Sequence, residues 1–170
     1  MSDNYLISAG AKEWLGHGAY FFIDGFPNVN PQVKASAWAK KRTKEFIREH
    51  RKHSEIFAVI HSSVQTRMHL DLDDADDREM FTEIRQRWVA RLRKERVMCS
   101  RVALENDCLL ANFAMDELDL DALVSMECIL TFENGFEPTS RHPNCRIMCV
   151  RNPSECIISS KMVSSGRVYG

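Results

Sequence analysis

Apolar positions along this chain change period several times, and each change marks an element. Ala19 to Ile23 is an aromatic, apolar run of strand length. From Pro31 to His50 the spacing predicts a helix, with proline near its first turn and basic residues in its last. Glu55 to His61 carries Ile56-Phe57-Ala58-Val59-Ile60, the length and β-branching of a buried strand, and His69 to Leu72 reads as a short extended piece. Asp73-Asp74-Ala75-Asp76-Asp77 opens a second helix, because carboxylates favour the positive end of a helix dipole. That helix is expected to run to about Val97. Its apolar residues Phe81, Ile84, Trp88 and Leu92 recur every three or four positions and share one face. A third helix is predicted over Ala103 to Leu118. Strands follow at Val124 to Phe132, Arg146 to Arg151 and Cys156 to Ser159, separated by the turn signals Asn134-Gly135 and Asn152-Pro153. Ser164-Ser165-Gly166-Arg167 reads as a frayed tail.

Composition narrows the picture. At 170 residues with 44% hydrophobic content, one globular domain with a sizeable core is expected. With 23 Lys and Arg against 24 Asp and Glu, the net charge of -1 exerts no general pull on nucleic acid or anionic membrane, so any such binding must be local. No apolar run reaches the roughly 18 residues of a membrane span, and Met-Ser-Asp-Asn-Tyr lacks the basic and apolar parts of a leader, so a cytoplasmic protein without a membrane partner is expected. The six cysteines sit in segments that otherwise read as core and are expected to be reduced. Cys145, Cys149 and Cys156 with His142 lack the paired knuckle spacing of a zinc site, so no metal is expected.

Candidate chemistry begins at Trp14-Leu15-Gly16-His17-Gly18-Ala19-Tyr20-Phe21. Gly16 and Gly18 permit positive φ and close approach of a ligand to the backbone, and would leave amide N–H groups open to a diphosphate or an amide. His17, between them, is placed to donate to a carbonyl or phosphate. The same glycines also suit an ordinary tight turn, and Tyr20, Phe21 and Phe22 also suit a packed core. Ser36 is positioned either to bond a ribose or to cap a helix turn. Seven Arg and Lys between Arg78 and Arg96 fill much of the second helix, and its basic stretch from Arg85 to Arg96 reads as a solvated face or, alternatively, as phosphate contacts.

Gly16-His17-Gly18-Ala19-Tyr20-Phe21 followed by Ala35-Ser36-Ala37 resembles the Gly-x-Gly-x-Tyr-Phe to Ser-Ala pattern of the ADP-ribosyltransferase superfamily, in the branch of poly(ADP-ribose) polymerases and diphtheria toxin. It is more similar there to small bacterial toxin-like members. Leu70-Asp71-Leu72, Asn106-Asp107-Cys108 with Ala111-Asn112, and Arg146 to Pro153 with Cys156-Ile157-Ile158 extend the resemblance over about Ser8 to Ile158. It implies an α+β fold: a split mixed or antiparallel sheet around an NAD cleft with flanking helices, in a single domain over residues 1–163 followed by a flexible tail, 164–170.

The resemblance further implies NAD as co-substrate, with Tyr20 stacking the nicotinamide, Gly16, His17, Gly18 and Ser36 meeting the dinucleotide, and Glu133 as the catalytic carboxylate. Cleavage of a nicotinamide–ribose bond builds an oxocarbenium-like centre, which a nearby carboxylate stabilises. Glu133 follows an apolar strand and precedes a turn; Glu127 and Glu137 are weaker candidates. A macromolecular acceptor, protein or nucleic acid, and an antitoxin-like partner are the implied companions. Two features depart from the family pattern. Met1 to Glu13 holds no His-Gly-Thr-like strand, and Phe132-Glu133-Asn134-Gly135 shifts the expected carboxylate by one residue, which in a strand reverses its face. They supply an alternative expectation: a weak or inactive member that binds NAD, ADP-ribose or a protein.

Overall fold

The computed structural model describes residue 5, residues 7–130 and residues 142–170. Its elements run β1 (Ala19–Ile23), α1 (Pro31–His50), β2 (Ser54–Val64), β3 (His69–Asp71), α2 (Ala75–Glu95), α3 (Ala103–Glu117), β4 (Ala122–Glu127), β5 (Cys145–Val150), α4 (Pro153–Cys156) and β6 (Ile157–Tyr169). The α+β class read from the sequence is the observed one. The chain divides into two compact units: Met1–Phe21, Gln65–Ser125 and Ile147–Cys156 in the first; Phe22–Val64, Met126–Arg146 and Ile157–Gly170 in the second.

A four-stranded sheet runs in the order β1-β5-β4-β3. β3 and β4 are parallel, His69 opposite Ala122 and Asp71 opposite Val124. The bonds flanking β4 and β5, Arg151 N to Asp121 O and Asn144 N to Glu127 O, advance in opposite directions along the two strands, so the sheet is mixed. α3 packs into the core: Cys108, Ala111, Ala114 and Met115, at helical spacing, are buried together with Leu123, Val124, Ile147, Cys149 and Val150. Of the α2 face named from the sequence, Ile84 is fully buried while Phe81, Trp88 and Leu92 are half-buried.

Local chemistry explains where the helices begin and end. Asn30 Oδ1 accepts from Gln32 N at 2.8 Å and caps α1, ahead of Pro31. Asp74 Oδ1 accepts from Asp76 N at 2.9 Å and caps α2, so the acidic run does what its place at a helix start implies. α3 begins without a side-chain cap at Val102, and Ser100 takes over that duty: its Oγ accepts from Val102 N at 3.1 Å, while Asn106 bonds both its N and its O. Both α1 and α2 stop without glycine. Arg51 (φ 51°) and Arg96 (φ 56°) take the left-handed conformation, and the next amides, Lys52 N and Val97 N, reach back to Ile47 O and Leu92 O at 3.0 Å, as in a Schellman motif.

The second unit is built on α1 and an antiparallel ribbon of β2 and β6, paired from Ser54↔Tyr169 to Val64↔Ile157 with register shifts at Val59/Ile60 and Ser63/Val64. The tail expected from Ser164 is instead the second half of β6. Ser164, Ser165, Gly166 and Arg167 lie opposite Val59, Ala58, Phe57 and Ile56. Serines hid the strand because its outer positions carry no apolar alternation. Gly166 leaves room for a neighbour: a Cβ there would lie 2.8 Å from the Phe57 ring.

Candidate functional site

The glycine loop and Tyr20 lie in the first unit, and polar bonds lock them. Tyr20 sits on β1 with its hydroxyl turned back into the loop, where it accepts from Leu15 N at 2.7 Å and donates to Gly16 O at 2.8 Å. The Cys149 thiol also donates to Gly16 O, at 3.7 Å. The Asn112 side chain, from α3, accepts from His17 N at 2.7 Å, and Gly18 exchanges both backbone bonds with Ser8, at 2.9 and 3.1 Å. Trp14 meets the Tyr20 ring edge-on, with centroids 6.3 Å apart.

Both glycines are fixed by geometry. Gly16 has φ of 80°, and a Cβ on it would lie 2.6 Å from Asn112 Oδ1. A Cβ on Gly18 would lie 2.5 Å from the Val150 carbonyl oxygen and 2.6 Å from Cys149 Sγ. Close packing against β5 therefore accounts for Gly18 on its own.

This arrangement corrects one expectation. The loop was read as a source of open amides for a diphosphate, but the N–H groups of Leu15, His17 and Gly18 are already bonded within the protein. A phosphate nest needs successive N–H groups aimed at the anion. The loop does not fit that role. What it offers outward is the His17 side chain, which is exposed. Tyr20 is half-buried, its hydroxyl engaged at both its donor and an acceptor position.

Burial keeps the ionisable groups under the loop neutral. Loss of water, helped by Cys149, pushes the Tyr20 phenol well above its ordinary range, and burial pushes the Cys149 thiol up to about 12. Cys145 is pushed up to about 11 and Cys156 is raised, again by burial. A thiol held neutral is a poor nucleophile, so these three are core residues. All six cysteines are free, and Cys99 is the exposed one. Among the described residues no group of three or more His, Cys, Asp or Glu could hold a metal ion.

Asp121, which sequence reasoning passed over, is the buried carboxylate of this unit. Its side chain accepts from Arg67 N, from Met68 N at 3.3 Å and from Arg67 Nη2 at 2.8 Å. The Arg67 guanidinium and these amides hold its carboxyl below the usual range. With the carboxylate fully occupied, it clamps the turn before β3 to the start of β4 and is not a free acid.

In the second unit, an open groove of about 730 Å³ is lined by Phe22, Ile23 and Asp24, by the turn from Asn28 to the first residues of α1, and by His61 and Ser62 of β2. The volume suits a small organic ligand. Asn30 is committed to its cap, and the Ser62 hydroxyl lies 3.1 Å from that of Ser160. Ser36, half-buried on the second turn of α1, does not line the groove. Glu133 and Glu137 lie outside the described residues, as does the Asn134-Gly135 turn. Glu127 ends β4, where its carbonyl accepts from Asn144 N at 2.9 Å. No helix among the described residues is long and apolar enough to cross a membrane. The chain matches no protein-family model, no curated protein and no solved structure.

Proposed function

We propose that this chain is an ADP-ribosyltransferase-like protein that transfers ADP-ribose from NAD to a macromolecular acceptor. The observation that carries the reading is the build of the Gly16–Tyr20 segment. A tyrosine on the strand after the loop braces it through two hydrogen bonds, leaving the His17 side chain outward on a rigid tip. In this reading His17 donates to the dinucleotide, the Tyr20 ring forms a wall of its binding site, and Glu133 stabilises the charge that develops at the ribose while orienting the acceptor. Positioning of this kind supplies much of the rate gain in group transfer. NAD itself supplies the bond that is broken; the residues bind, orient and exclude water.

A second reading, favoured by the bonded amides of Leu15, His17 and Gly18, is a protein that binds NAD or ADP-ribose without turning it over. Purified chain is incubated with labelled NAD and cell extract, as wild type, Glu133→Gln and His17→Ala, and NAD affinity is measured by calorimetry. Label transfer that disappears in Glu133→Gln supports the transferase. Saturable NAD binding with no transfer supports the binder, and absence of both overturns the two together.

A further inference from the structure

The whole-chain charge of -1 conceals an uneven distribution. Residues 91–102 contain five cations, Arg91, Arg93, Lys94, Arg96 and Arg101, against the single carboxylate of Glu95. Arg91 holds that carboxylate at 2.9 Å. Among the described residues Arg93, Lys94, Arg96 and Arg101 carry no ion pair, and all four are exposed. They gather where α2 ends and the chain turns toward α3.

In the middle of these cations the chain exposes apolar side chains. Met98 is 92% exposed, Val97 52% and Val102 40%. The backbone presenting them is held at both ends. Val97 N bonds Leu92 O and closes α2, while Ser100 is bonded through its N, O and Oγ to the first turn of α3. A short connector, anchored at each end, thus carries a methionine almost wholly in water between flanking arginines.

We propose that the Arg93–Val102 connector is a docking surface for an anionic lipid bilayer, with Met98 and Val97 entering the headgroup–acyl boundary and Arg93, Lys94, Arg96 and Arg101 meeting lipid phosphates. The expectation of no membrane partner rests on the lack of a span-length apolar run, while the averaged charge leaves room for local binding, and the local charge is what a surface meets. Basic residues near an anionic leaflet gain electrostatic attraction that decays within a Debye length, and apolar side chains that reach the acyl boundary add hydrophobic burial. A nucleic acid offers the same phosphates to the arginines. Its phosphate backbone offers nothing to Met98, and the exposed methionine is what favours lipid.

The full chain is tested by co-sedimentation with vesicles of phosphatidylcholine containing one third phosphatidylserine, and with pure phosphatidylcholine vesicles. Binding is expected to the anionic vesicles only and to weaken as salt rises. Each cation near the surface changes affinity about fivefold, so Arg93→Ala with Arg96→Ala is expected to weaken binding by roughly twenty-five-fold. Met98→Asp is expected to weaken it by at least about tenfold, through lost apolar burial together with a new negative charge at an anionic surface. In Met98→Trp, bromine-labelled lipid should quench emission beyond that of the wild type. Unchanged thermal melts establish that the variants are folded. The proposal is overturned if wild type binds neither vesicle, binds both alike, or binds as tightly with Asp at 98. Tighter binding to a nucleic-acid duplex that is unaffected by the uncharged change Met98→Ala also overturns it, and assigns the cations to nucleic acid.

Discussion

Removing one oxygen from Tyr20 tests whether the loop is braced from within. In Tyr20→Phe the ring remains to pack against Trp14, but the bonds to Leu15 N and Gly16 O are lost. A neutral hydrogen bond contributes about 1 kcal/mol net, and a buried donor left without a partner costs about 1–3 kcal/mol. Leu15 is 2% exposed, so water has little access to its freed amide. The sum for the first unit is about 2–3 kcal/mol, which for a chain of this length lowers the melting temperature by roughly 5–10 °C. Urea unfolding followed by the emission of the three tryptophans reads this as a lower midpoint at unchanged slope. The hydroxyl stays protonated throughout, because burial holds the phenol above its ordinary range. A loss below about 0.5 kcal/mol, less than one ordinary hydrogen bond, would refute the brace.

Gly18→Ala places a methyl 2.5 Å from a backbone carbonyl oxygen that cannot swing aside, and is expected to cost about 2–4 kcal/mol by overpacking, read in the same urea titration. Arg51→Gly relieves a side chain held at φ 51° and is expected to stabilise the second unit by about 0.5–1 kcal/mol, measured as a rise in the Trp38-reported melt. Asp121→Asn exchanges an acceptor for an amide facing backbone N–H groups, and is expected to cost about 2 kcal/mol at neutral pH. Because the folded carboxyl titrates below the unfolded one, the stability it confers is present above the unfolded value and is lost as pH falls through the folded value. The gap between Asp121→Asn and wild type should therefore narrow as pH falls below about 5, and a gap that stays constant as acid is added would contradict the assignment.

Periodicity made the helices legible. Asn30 before Pro31, and Asp74 before the spaced Phe81, Ile84, Trp88 and Leu92, are local signals that tertiary packing had no reason to override. The end of β6 was illegible for the opposite reason. Its Ser164-Ser165-Gly166 run has low strand propensity, and pairing comes from β2, about a hundred residues away, with the Phe57 ring over Gly166. The division into two units was equally hidden, because each is assembled from three separated stretches. At the candidate site the importance of Gly16, Gly18 and Tyr20 could be read, but not its form. Whether a loop amide faces a ligand or a side chain depends on partners such as Asn112 and Ser8, which no local pattern announces. Asp121 escaped notice because its partner Arg67 is 54 positions away, although an aspartate at the head of the apolar run Ala122-Leu123-Val124 is itself a signal of a buried, paired carboxylate.

Backbone amide resonances of the labelled full chain, followed while NAD is titrated in, test most directly the claim on which both readings rest, that this loop binds NAD. The account predicts saturable shifts at His17 and at Glu133, with the amides of Leu15, His17 and Gly18 protected from solvent exchange before NAD is added. No shift at either residue up to millimolar NAD would contradict it.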